Sequence, residues 1–193
     1  MSKHRAERLA RIRAKLESAM AQHTCLELDM PDEAVTGYCV GVGRRWCLVQ
    51  TSAPWPDGYV AVRIADLERI RHHQYPTIHR FAFEHEGAWP PSGLDGLDLD
   101  LDTTETLVAG LAERYPLLGL ELRDSDDQLF VGAPVLVAQG TLMLQELTPS
   151  PTWEALSTWR LGDLARITVG GRYQDLLALA APERPADPSP FAD

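Results

Sequence analysis

Arg63-Ile64-Ala65-Asp66-Leu67-Glu68-Arg69-Ile70 and Arg160-Leu161-Gly162-Asp163-Leu164-Ala165-Arg166-Ile167 are one octet written twice. Each copy reads Arg, Ile or Leu, a small residue, Asp, Leu, any residue, Arg, Ile. The likeness spreads outward in the same order. Leu26-Glu27-Leu28 matches Leu120-Glu121-Leu122, Gly37 matches Gly132, Leu48-Val49-Gln50 matches Met143-Leu144-Gln145, and Tyr75 matches Tyr173. Self-similarity at a fixed interval marks a structural unit used more than once. The chain therefore reads as a duplication, with the octet at the turn into each unit's last strand.

Each copy opens on a helix. Leu9, Ile12, Leu16 and Met20 recur at helical spacing and predict a helix over 3–21, with Arg and Lys on its other faces. In the second copy Asp102 and Glu105 suit a capping box. Leu107, Val108, Leu111 and Tyr115 form the apolar stripe, and Pro116 ends the helix. Short strands follow in both. Gly43 and Gln139-Gly140 sit at tight connections between apolar runs, a hairpin signal. The predicted boundaries are 3–86, a Gly/Pro/Asp-rich linker over 87–101, 102–181, and a Pro-rich acidic tail over 182–193 that composition marks as disordered.

A helix followed by five short strands in about 60 residues, the last two joined by a tight Asp-Leu turn, resembles the Sm-like superfamily of small SH3-type β-barrels. The resemblance covers roughly residues 5–84 and 102–181. It implies a mainly β, α+β chain of two tandem five-stranded barrels, each preceded by a helix. Sm-like proteins form rings that hold single-stranded RNA. Here neither Gly43-Arg44-Arg45-Trp46 nor the Asp66 and Asp163 turns carry the family's RNA-binding signature. The resemblance thus implies the fold and no binding residue.

Composition narrows the function. The chain of 193 residues has a formal charge of −10, the opposite of the footprint of a duplex-binding protein. Cys25, Cys39 and Cys47 make an odd count without a disulfide framework. A secretory h-region and a bilayer-length apolar run are both absent, so a cytoplasmic, bacterial-type setting is the expectation. With no phosphate loop, nucleophile elbow or Cys-x-x-Cys, the expectation is a protein without catalytic activity, cofactor or metal.

The leading expectation is a protein-interaction module, immunity- or antitoxin-like, that offers an acidic surface to a partner through clusters at 95–102 and 124–127. Further association of the chain with itself is open. The alternative is single-stranded RNA, read at Arg44, Arg45 and Trp46 with Trp55 and Tyr59, where basic and aromatic residues interleave. A third reading is a metal-dependent enzyme at His72, His73, His79 and His85, with Glu84 and Glu86 beside them. Their spacing fits no ligand pattern, and solvated loop histidines are expected. Arg63, Asp66, Arg69, Arg160, Asp163 and Arg166 are read as structural, the Asp capping a turn and an arginine neutralising it.

Overall fold

The computed structural model describes residues 3–31, 33–53, 55–94, 99–123 and 128–185. The acidic clusters at Asp95, Asp98, Asp124, Asp126 and Asp127, and the tail beyond 185, lie outside the described residues. Two compact units divide at Thr103/Thr104.

Unit one contains α1 (Lys3–Ala21), β1 (Cys25–Asp29), β2 (Ala34–Val42), β3 (Trp46–Ser52), β4 (Pro56–Arg63), a 3-10 turn (Ile64–Asp66), β5 (Arg69–His72) and α2 (Pro76–His85). Unit two contains α3 (Thr104–Arg114), β6 (Leu118–Leu122), β7 (Phe130–Ala138), β8 (Thr141–Leu147), β9 (Trp153–Arg160), β10 (Leu164–Val169) and α4 (Arg172–Ala180). The protein is β-rich and α+β, as expected.

The closed barrels are not what forms. Each unit is an open antiparallel sheet, in the order β5-β1-β2-β3-β4 in one and β10-β6-β7-β8-β9 in the other. Consecutive strands β4 and β5, and likewise β9 and β10, lie at opposite ends of that order and do not pair with each other. A flat sheet of five strands is about 19 Å across. The three residues between Arg160 and Leu164 reach at most about 14 Å. The sheet must therefore curl. Register shifts at Cys39/Gly41 and Gln50/Ser52, and at Pro134/Leu136 and Gln145/Leu147, fall at matching places in the two units and supply the bending. Curling is what the sequence made visible as a barrel; closure depends on a last pairing that each unit leaves unmade.

Strand pairing also corrects the alignment of the copies. Ile70 faces Leu28 and Ile167 faces Leu120, while Arg69 faces Asp29 and Arg166 faces Glu121. Gly37 faces Leu26, and Gly132 faces Leu118. Leu28 thus corresponds to Leu120, not Leu122, and the Leu-Glu-Leu likeness is two residues out of register. Gly37 and Gly132 are true counterparts. A Cβ on either would stand 2.2 Å from the Gln50 carbonyl oxygen or 2.4 Å from that of Gln145, so the bend brings backbone against backbone in both units.

The core of unit one packs Leu16 of α1 against Leu26, Leu28, Val49, Val62, Ile64 and Leu67, with Leu9, Ile12 and Met20 partly covered. The N-terminal helix is thereby a packed element, and Arg8 fastens it, donating to the Leu67 and Ala65 carbonyls at 2.9 Å each. The predicted linker is also partly structural. Pro91, Leu94 and Leu101 are buried, and the Leu101 carbonyl accepts from the N–H groups of Arg45 and Trp46. Asp102 accepts from the Arg44 N–H at 2.6 Å, and α3 begins two residues later, at Thr104. Asp102 therefore ties down the β2–β3 hairpin and does not stand at the helix N-cap position.

That strap explains Gly43. A Cβ there would meet the Leu101 backbone at 2.6 Å. Gly43→Ala is expected to cost about 1–3 kcal/mol through overpacking against an immobile backbone, read as a lowered urea midpoint. An unchanged midpoint would show that the strap is not held on the hairpin.

Candidate functional site

The histidines expected in a solvated loop straddle a helix that the sequence reading missed. Pro76 stands in its first turn, where a missing N–H costs nothing. Helix α2 turns His79, Ala82 and Phe83 inward. His72 closes β5 and is exposed, and Glu84, His85 and Glu86 are exposed as well. Only His73 and His79 come together, with ring centroids 4.3 Å apart.

The residue that joins them is Cys25, at the start of β1. Because β5 pairs with β1, the chain leaving β5 runs past Cys25, and the His73 N–H donates to the Cys25 carbonyl at 3.0 Å. One ligand atom from each of Cys25, His73 and His79 lies within 4.8 Å of the others. Ser52 Oγ lies 2.6 Å from His79 Nδ1, in a buried contact. Tyr38 hydrogen-bonds Cys25, and its ring packs edge-on against Phe83 and Trp89. These apolar walls have a chemical effect. Burial pushes the Cys25 thiol up to about 12, with the Tyr38 hydrogen bond pulling the other way. Burial, and then the neighbouring His73, lower the pKa of His79. The surroundings therefore favour the protonated thiol of Cys25 and the neutral imidazole of His79.

The second unit shows what the fold requires at these positions. By strand pairing and sequence match, Cys25, Tyr38, Ser52 and His79 correspond to Leu117, Ala133, Leu147 and Leu177, and His73 to Gly170. Leu117, Ala133, Leu147 and Leu177 form a buried apolar cluster with Val131. One unit fills the place with hydrocarbon; the other fills it with a thiol, a phenol, a hydroxyl and two imidazoles. In the sequence Cys25 stands only as one of three cysteines without a disulfide framework, and nothing singles out Ser52. The available signal was this contrast between copies, hidden while the first strands were aligned two residues out.

A second surface lies on the outer side of the same helix. Tyr75, Ile78 and Phe81 are exposed, and Tyr173, Leu176 and Leu179 repeat their spacing on α4. All six are between 47% and 85% accessible. Trp55 belongs with the first group. Its ring lies 5.8 Å from that of His85, which in turn stacks on Phe81 at 6.2 Å.

The expected RNA-reading group is thereby divided. Arg44 and Arg45 are exposed at the hairpin tip, but Trp46 is fully buried, with Arg63 over its ring at 4.8 Å. Tyr59 lies part-buried in β4, and Trp55 joins α2. The Trp46 ring is core, closed to a stacking base.

The repeated arginines also part company. In unit one Arg63 is buried, 3.9 Å from Asp66, and Arg69 is exposed. In unit two Arg166 is buried and paired with Glu121, and Arg160 is exposed. At the second turn the Asp163 N–H donates to the Arg160 carbonyl, while the Asp163 carbonyl accepts from the Arg123 N–H.

A groove of about 250 Å³ between α1 and β5 is lined by Arg8, Arg11, Lys15 and Arg69, with Glu68 among them. No helix among the described residues is long and apolar enough to cross a membrane. Compared with known protein families, curated proteins and solved structures, the chain matches none of them.

Proposed function

We propose that the chain is a non-catalytic protein-interaction module whose contact surface is the outer face of α2, continued by Trp55, and its repeat on α4. The observation that carries this reading is the exposed triad Tyr75/Ile78/Phe81, restated as Tyr173/Leu176/Leu179. Both helices already bury an opposite face, so their exposed apolar side chains are surplus to folding. Contiguous apolar patches of this kind mark contact sites, and aromatic residues dominate the centres of protein interfaces. The formal charge of −10 favours a partner with apolar anchors and a basic rim, attracted at long range. A basic toxin held by an immunity- or antitoxin-like protein is the concrete form of this reading.

The test is co-purification of the tagged chain from its native extract, with and without nuclease, beside Phe81→Glu and Leu176→Glu variants. A defined protein should survive nuclease and be lost by at least one variant whose circular dichroism and melting are unchanged. Retention of that protein by both variants would overturn the surface. RNA recovered only without nuclease would favour the Arg44 and Arg45 alternative. Sedimentation of the purified chain distinguishes a second copy as the occupant.

A further inference from the structure

We propose that Cys25, His73 and His79 form a binding site for a thiophilic transition-metal ion of the zinc class, supported by Ser52 and Tyr38. The start of β1, the turn after β5 and the helix α2 that follows it bring one thiol and two imidazoles to a common point, with ligand atoms within 4.8 Å of one another. Tetrahedral zinc, with bonds of about 2.0–2.3 Å to nitrogen and sulfur, holds its ligand atoms roughly 3.3–3.6 Å apart. A closure of at most about 1.5 Å therefore completes the triangle. His73 is half-buried and the other two ligands are buried, so the ion enters past His73.

Donor chemistry selects the ion. One soft thiolate with two imidazoles suits zinc, cobalt or copper and disfavours magnesium or calcium, which take oxygen. Coordination expels the Cys25 thiol proton to solvent. Three protein ligands leave a fourth position for water or a small ligand. Ser52 plays the supporting part: its Oγ lies 2.6 Å from Nδ1 of His79, so a metal held at Nε2 would leave the proton on Nδ1 to be donated to that oxygen. Phe83 and Trp89 form an apolar shell with Cys25 and Tyr38.

The duplication supplies the control. The same fold in unit two closes over Leu117, Ala133, Leu147 and Leu177, so neither the curl of the sheet nor the docking of the last helix calls for polar groups at this place. Four such groups assembled where unit two has hydrocarbon, joined by His73 where it has Gly170, point to a ligand.

The experiment uses the full chain, stripped with chelator and titrated with cobalt(II) and with zinc(II). One equivalent of cobalt should bind, with a thiolate-to-cobalt charge-transfer band and the intense visible bands of a tetrahedral site. Zinc should displace it and raise the melting temperature. Cys25→Ala should remove the charge-transfer band. His79→Leu installs the residue of the other unit and so preserves packing; it should abolish stoichiometric uptake. Ser52→Ala should weaken affinity about 10–100-fold. Uptake below one equivalent, a spectrum without the thiolate band, or uptake unchanged in a folded His79→Leu variant would overturn the site. The last result would assign the metal to exposed histidines such as His72 and His85.

Discussion

Arg63→Ala and Arg166→Ala should each destabilise the unit that holds them by about 3 kcal/mol or more, while Arg160→Ala and Arg69→Ala shift stability by no more than about 0.5 kcal/mol. The pattern is crossed. In sequence Arg63 is the twin of Arg160, and Arg69 of Arg166, yet the structure buries one member of each pair and exposes the other. Arg166 is 6% exposed and paired with Glu121. Truncating it strands a carboxylate whose side chain is itself only 17% exposed. Removing one partner of a buried pair costs more than the pair contributes, because the remaining charge keeps its desolvation penalty. Arg63 is equally enclosed between the Asp66 carboxylate and the Trp46 ring. Its loss also opens space over the largest buried ring. Urea unfolding of the four single variants decides the matter. Equal effects within each twin pair would mean that the two turns are packed alike, contrary to the structure.

Trp46→Ala should cost about 3–5 kcal/mol, the range for truncating a fully buried aromatic residue, whereas Trp55→Ala should leave stability nearly unchanged. Trp46 is the first residue of β3 and is 0% exposed. Its N–H donates to the Leu101 carbonyl, and its ring faces Arg63. Truncation forfeits the transfer energy of the ring, leaves a cavity under the β2–β3 hairpin, and removes the cation–π contact that helps keep Arg63 from water. Against a typical domain stability of about 5–15 kcal/mol, such a loss brings unit one near unfolding at ordinary temperature. Trp55, at 39% exposed, lies at the edge of the α2 patch, and its truncation should be felt by a partner instead of the core. Far-ultraviolet circular dichroism in urea reads both variants. A Trp46→Ala midpoint equal to that of the parent would place the ring at the surface and reopen base stacking there.

Much of the architecture was legible because its signals are local. The 3.6-residue recurrence of Leu9, Ile12 and Leu16 identified α1, and Gly43 marked the β2–β3 hairpin. Pro76 in the first turn and the stripe His79-Ala82-Phe83 were equally available for α2, but four histidines in fourteen residues drew the reading toward a loop.

The residues alone made legible the repeated octet, the first helix and the short strands of each half, and the hairpin turns between them, though not the helix that closes each unit. Periodicity, glycine and proline act within a few residues. The rest was set by contacts between distant parts of the chain. Whether a curled sheet closes depends on the pairing of strands at opposite ends of its order. Whether Arg63 or Arg69 is buried depends on which side chains arrive from elsewhere. Cys25 meets His73 and His79 because antiparallel pairing of β5 with β1 folds distant chain segments onto one point, and no local pattern of residues encodes that meeting.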